Sequence, residues 1–218
     1  MISFIDKGQG RSLLVLPGWG FDPYVFDIKA LSYDLVLPKR PIFDPFDKLS
    51  QALKGLSGQQ ISVIGWSLGA VVALKMVEKW PHLFVKVILA SYPAPFPQKV
   101  INEKILEVEK EKDRALRGFY LEVFGKTMKH YRKFKKEHEK RCLSFWKKDE
   151  LVNGLRQLAE KTKIPDFQVE TLIIHGKKDT ISPVELLPKS LLKGADKTIF
   201  LDCGHMILWE KDLYEAIN

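Results

Sequence analysis

Cysteine is nearly absent from this 218-residue chain: only Cys142 and Cys203 occur, far apart. Two such residues do not make the bridged framework of a small secreted domain, and two free thiols in a reducing compartment are expected. No apolar run reaches the roughly 18 residues of a membrane span. The opening MISFIDKGQGRSLLVL has no basic stretch followed by a long apolar core, so no secretory leader is read there. A cytoplasmic location, with no membrane partner, is the expectation. No Cys/His cluster has zinc spacing, no GxxxxGK[ST] loop is present, and no nucleic-acid motif is recognised. Neither a metal, a cofactor nor a nucleic-acid partner is implied.

What is present is an ordinary globular balance, 45% hydrophobic and 28% charged residues, with a net charge of +8. The excess is local. Residues 99–163 carry 19 Lys+Arg against 11 Asp+Glu, and the rest of the chain carries 16 of each. A solvated helical face is the plain explanation; an acidic partner for that segment is the other.

Periodicity organises the remainder. Residues 1–6 and 12–16 read as strands joined by the turn KGQG, and 33–37 as a third. Between them, 22–31 has helical character, with Asp22 as N-cap and Pro23 at the first helical position. PKRPIFDPF is a loop, and 46–56 a helix ending near Gly58. ISVIGW is a buried strand, SLGAVVALKMVEKW a helix stopped by Pro81, and 84–90 another strand. SYPAPFPQ is a proline-punctuated linker. The basic segment after it reads as amphipathic helices without a strand. Alternation resumes after Pro165: VETLIIHG and KTIFL as strands, VELLPKSLL and MILWEKDLYEAI as helices. Strands alternating with helices predict an α/β fold with a mainly parallel sheet covered on both faces. The helical insertion would lie over the carboxyl ends of the strands, where such sheets bind ligands.

One junction carries chemistry. GWSLG places Ser67 between Gly65 and Gly69, after a strand and before a helix. A nucleophilic serine needs a sharp strand-to-helix turn that lifts its Oγ clear of the backbone. Side chains two residues either side would crowd the strand and helix, so both positions favour glycine. The helix start offers unpaired N–H groups, and the N–H of Leu68 can receive a developing oxyanion. The second donor belongs in a loop after an early strand; in LVLPGWG the N–H of Trp19 is the candidate. A base and an orienting acid must follow later strands. Asp179 in TLIIHGKKDTISP and His205 in TIFLDCGHMILWE occupy those places, and the order Ser, Asp, His fits. His175 is the alternative base and Asp202 the alternative acid. His82, His130 and His138 fall in segments read as surface.

These stretches, LPGWG, GWSLGA, LASYPAPF, HGKKDTISP and CGHMILWE, together resemble the α/β-hydrolase superfamily over nearly the whole chain. GWG combined with GWSLG looks most like the pimeloyl-acyl-carrier-protein methyl ester esterases of biotin synthesis. The resemblance implies a serine carboxylic-ester hydrolase, with Ser67, Asp179 and His205 as triad and Trp19 and Leu68 as oxyanion residues. It implies a hydrolase core over 1–95 and 164–218 with a helical lid over 96–163. The lid's basic surface would suit an acyl substrate borne on an acidic acyl carrier protein; Phe96, Phe124 and Trp146 could cover its chain, but such residues more often form a lid's own packing and no site is assigned to them. The chain departs from its relatives in carrying Pro17-Gly18 where they have His-Gly, and Ala70 where they have a third glycine. A general carboxylesterase or thioesterase, a lyase or C–C hydrolase, and a receptor without turnover remain as alternatives.

Overall fold

A computed structural model describes residues 2–43, 46–55, 60–125 and 127–218. Seven strands form one sheet: β1 (Ile2–Ile5), β2 (Arg11–Leu16), β3 (Asp34–Pro38), β4 (Gln60–Trp66), β5 (Lys86–Ala90), β6 (Glu170–Gly176) and β7 (Lys197–Leu201). Their order across the sheet is β1-β3-β2-β4-β5-β6-β7. Only β1 runs antiparallel. Every residue of β3, and every residue after the first in β2, β4 and β5, is buried whichever way its side chain points. A strand without alternation is one covered on both faces. The edge strands β1 and β7 are only partly covered.

The helices are α1 (Asp47–Lys54), α2 (Leu68–Lys79), α3 (Gln98–Lys110), α4 (Lys112–Phe124), α5 (Met128–Glu137), α6 (Glu139–Phe145), α7 (Lys148–Ala159), α8 (Lys189–Gly194) and α9 (Lys211–Ile217). Helices α3 to α7 follow one another between β5 and β6, in the basic segment. None of the helices is long and apolar enough to cross a membrane, among the described residues.

Four local expectations change. The stretch 22–31 is not a helix: it makes one 3₁₀ turn, Pro23–Val25, although the Asp22 side chain does accept from the N–H of Tyr24 as a cap. The run MILWEKDLYEAI divides into a 3₁₀ turn, Ile207–Trp209, and α9. VELLPKSLL also divides, into a turn at Val184–Leu186 and α8, because Pro188 removes a helical N–H and directly precedes α8. The helix expected to end near Gly58 is α1, whose end at Lys54 is described; Gly58 lies outside the described residues.

The fourth change concerns the first two strands. They do not pair with each other; β3 lies between them. The KGQG turn is instead gathered around Asp34 at the start of β3. That carboxylate accepts the backbone N–H groups of Lys7 at 2.7 Å, Gln9 at 3.1 Å and Gly10 at 3.0 Å. These bonds, with that of Gln9 foremost, hold the Asp34 carboxyl below its ordinary value. A depressed carboxyl stabilises the fold above the ordinary pKa of 3.8, and that contribution is lost as pH falls through the folded value. Asp34→Asn therefore lowers the thermal midpoint at neutral pH, and the gap from wild type narrows in acid below 3.8. Thermal melts across that range check it; a gap independent of pH would contradict this account of the turn.

Candidate functional site

The order of the strands brings the site together. The chain winds to one side from β2 to β3 and to the other from β4 onward, so β2 and β4 are neighbours at the point of reversal, where open parallel sheets bind ligands. Leu16, at the end of β2, is paired with Gly65 of β4. The loop leaving β2 and the turn leaving β4 therefore emerge side by side.

Ser67 is that turn. It links β4 to α2 with φ 55° and ψ −119°, a conformation costly for a residue with a Cβ. The glycines make it sterically feasible. A Cβ on Gly65 would lie 2.1 Å from the carbonyl oxygen of Gly69, and one on Gly69 would lie 2.1 Å from that of Leu16. The Ser67 N–H donates to the Ala90 carbonyl of β5 at 2.9 Å, anchoring the turn.

Three side chains from three strand ends meet there. The Nε2 of His205, in the loop after β7, is 3.1 Å from Ser67 Oγ. Its Nδ1 is 2.8 Å from Asp179 Oδ2, in the loop after β6. The other oxygen of Asp179 accepts the N–H groups of Ile181 at 2.9 Å and Ser182 at 2.8 Å, which fixes the carboxylate plane. The backbone of His205 is fixed too: its carbonyl accepts from the Trp66 indole at 3.0 Å and from Ser91 Oγ at 3.4 Å. All three members of this chain are buried.

The alternatives fall away on geometry. Asp202 is exposed and paired with Lys178 at 2.9 Å. His175 is buried, donates from Nε2 to the Ser182 carbonyl at 2.7 Å, and stands 3.6 Å from Asp179 Oδ2. Its burial pushes the imidazole below its ordinary value, against the opposing pull of Ser182 and Asp179. A neutral His175 leaves the Asp179 charge to His205. His175 is the neighbour that motif reading placed only as a rival; its role here is to hold the loop that carries Asp179. Cys203, two residues from His205, is no competing nucleophile, because burial pushes its thiol up to about 12. Both cysteines are free, as expected, and both are buried.

The loop after β2 abuts the serine. A Cβ on Gly18 would lie 3.2 Å from that of Ser67 and 2.9 Å from the Trp66 ring. The N–H groups of Trp19, next in that loop, and of Leu68, the first residue of α2, find no acceptor among the described residues. A cavity of about 170 Å³ opens over Ser67. Its walls are apolar, formed by Trp19, Phe96, Ile101, Phe119, Leu155 and Leu158, with Lys104 and Glu122 at its polar margin. Phe96 therefore does line the space above Ser67. Phe124 and Trp146 do not: Phe124 packs against Phe134 and Trp209, and the Trp146 indole donates to the Phe21 carbonyl at 2.8 Å. Phe119 was not singled out in the sequence, where nothing but an aromatic in an amphipathic helix marks it. Among the described residues, no group of three or more His, Cys, Asp or Glu side chains is arranged to hold a metal ion.

Comparison with known proteins identifies the family and the fold. The chain is 23% identical over 210 residues to a pimeloyl-[acyl-carrier protein] methyl ester esterase of Wigglesworthia glossinidia brevipalpis, covering 83% of this chain and 80% of that protein. It is 26% identical over 226 residues to a 2-hydroxy-6-oxononadienedioate/2-hydroxy-6-oxononatrienedioate hydrolase of Escherichia coli K12, covering 94% of this chain and 73% of that one. Its fold matches an esterase from Exiguobacterium antarcticum with a TM-score of 0.79 at 18% identity, over 99% of this chain and 92% of the other. It matches a bromoperoxidase from Bacillus anthracis with a TM-score of 0.81 at 17% identity, again over 99% and 92%. The model of the alpha/beta hydrolase family matches residues 13–216, nearly the whole described sheet together with its helices. The chain belongs to the α/β-hydrolase family.

Proposed function

We propose that this protein is a serine esterase in which Ser67, His205 and Asp179 form the catalytic triad. The observation that carries the reading is the continuous pair of contacts from Asp179 Oδ2 to His205 Nδ1 at 2.8 Å and from His205 Nε2 to Ser67 Oγ at 3.1 Å. His205 takes the proton of Ser67 as Oγ attacks the ester carbonyl. The N–H groups of Trp19 and Leu68 hold the tetrahedral oxyanion, each such donor being worth roughly 10²–10³ in turnover. His205 returns the proton to the departing alcohol as the C–O bond breaks, leaving an acyl group on Ser67. Water, deprotonated by His205, then releases the acid and restores the serine. Asp179 fixes the tautomer of His205 and stabilises its charged form.

The cavity narrows the substrate. Its 170 Å³ lies below the roughly 300–1,000 Å³ of sites for drug-sized ligands, which favours a short acyl chain. Within that class we assign the methyl ester of a pimeloyl group borne on an acyl carrier protein. Two things support it: the relative named for that activity, and the local excess of 19 Lys+Arg over 11 Asp+Glu in residues 99–163. In this reading residues 96–163 are a lid on the core formed by 1–95 and 164–218, and its basic surface steers an acidic carrier, more weakly at high salt. The Escherichia coli relative, named as a dienedioate hydrolase, favours C–C bond hydrolysis as the second reading.

Ser67→Ala lowers turnover of p-nitrophenyl butyrate by on the order of 10⁶ while the melting temperature stays near wild type; turnover within tenfold of wild type would refute the nucleophile. With methyl pimeloyl carrier protein as substrate, kcat/KM exceeds that for p-nitrophenyl butyrate and falls as salt rises. Equal or better turnover of a 2-hydroxy-6-oxo dienoic acid would transfer the assignment to C–C hydrolysis and leave the triad in place.

A further inference from the structure

The helical block between β5 and β6 does more than roof the cavity. It grips the loop after β2 at four consecutive residues. The Trp19 indole donates to the Leu151 carbonyl of α7 at 2.8 Å. The Tyr120 hydroxyl of α4 donates to the Gly20 carbonyl at 2.7 Å. The Trp146 indole, just past α6, donates to the Phe21 carbonyl at 2.8 Å. Arg141 of α6 pairs with the Asp22 carboxylate, which is only 1% exposed. A loop needing no more than a turn does not recruit a bond from the helical block at each of residues 19, 20, 21 and 22.

Helix α7 makes a second, closer contact. Gly154 sits buried in its middle, where glycine is a poor helix former. A Cβ there would lie 2.9 Å from Trp19 Cδ1 and 2.9 Å from Leu68 Cδ2. Leu68 Cδ2 is the end of a mobile side chain and can turn aside. Trp19 Cδ1 belongs to a ring held by its own bond to Leu151. One glycine thus lets α7 rest against both residues whose N–H groups serve the oxyanion in the proposed mechanism.

We infer that α7, through Gly154 and the Leu151 carbonyl, is a positioning element for the oxyanion hole, with Tyr120, Trp146 and Arg141 holding the following residues of the same loop. The inference rests on Trp19 and Leu68 being the oxyanion donors. Residues 151 and 154 touch no reacting atom; they act by fixing where the N–H groups stand when charge develops. In this arrangement the part of the helical block that holds residues 19–22 stays in place through the cycle.

Paired glycine substitutions test it. Gly118 lies exposed on α4, and a Cβ there would meet nothing within 4 Å. Gly154→Ala and Gly118→Ala both exchange a helical glycine for the best helix former, so the change in helix propensity is common to both and only the contact with Trp19 and Leu68 sets them apart. Gly118→Ala leaves kcat for p-nitrophenyl butyrate unchanged. Gly154→Ala lowers kcat by roughly 10- to 100-fold, part of a donor's full worth, with KM within about twofold. The inhibition constant of a boronic acid that forms a tetrahedral adduct rises in step with the loss of kcat. If Gly154→Ala melts below the assay temperature, Trp19→Phe decides instead: it keeps the backbone N–H, drops the indole bond to Leu151, and shows the same split. A kcat within twofold of wild type in the folded variant, or a loss confined to KM, overturns the inference. With turnover still abolished by Ser67→Ala, that result leaves the esterase reading intact; turnover surviving in Ser67→Ala removes both.

Discussion

The backbone of Ser67 is held where a residue with a side chain rarely sits, at φ 55° and ψ −119°. That conformation costs of order 1–3 kcal/mol, and its surroundings determine it fully. Strand β4 fixes one side, α2 the other, and the carbonyl of Ala90 takes the N–H between them. The strand and helix approach so closely that the carbonyl of Gly69 would stand 2.1 Å from any Cβ at position 65. Remove that approach and the hydroxyl no longer projects toward His205, the loop after β2 no longer abuts it, and the cavity loses its floor. The rest of the site is arranged around this one strained turn.

Convergence follows from the parallel sheet. Strands that run the same way release their following loops at one edge, so Trp19, Ser67, Asp179 and His205 come from the ends of β2, β4, β6 and β7 although they span most of the chain. The sheet supplies position, and a second layer of contacts supplies orientation. Two backbone N–H groups hold Asp179, two side chains hold the His205 carbonyl, and His175 ties the Asp179 loop to β6 through the Ser182 carbonyl. Buried and hydrogen-bonded, these groups have little freedom to depart from the geometry that proton transfer needs.

The proximity of Ser67, Asp179 and His205 was legible in sequence because the chemistry of the proposed triad restricts residue types at fixed places: glycines around the serine, an acid and a histidine after later strands. The buried strands were legible as short apolar runs. The partnership of β1 with β3 was not, because what gathers the KGQG turn is Asp34, 24 residues beyond Gly10, and no periodicity registers such a bond. The single turn at Pro23–Val25 was read as a helix because Asp22 and Pro23 signal a start equally well for one turn or three; the residues that would continue it bond instead to the C-terminal segment, the Val25 carbonyl to the Trp209 indole at 3.2 Å and the Asp27 N–H to the Tyr214 hydroxyl at 2.7 Å. Trp146 was left between covering an acyl chain and packing the helical block, since an aromatic in a basic amphipathic segment gives no sign that its indole N–H will seek a carbonyl at Phe21. Gly154 gave no signal at all. Its importance lies in two contacts, with Trp19 and Leu68, that exist only once α7 is docked.

The most direct test of the account is covalent. A fluorophosphonate should label the folded protein once, and peptide mass spectrometry should place the adduct on Ser67, with none formed on Ser67→Ala. An adduct on Ser91, which is also buried with a positive φ of 45° and lies against the His205 carbonyl, or no adduct on protein that retains its native melting temperature, would contradict it.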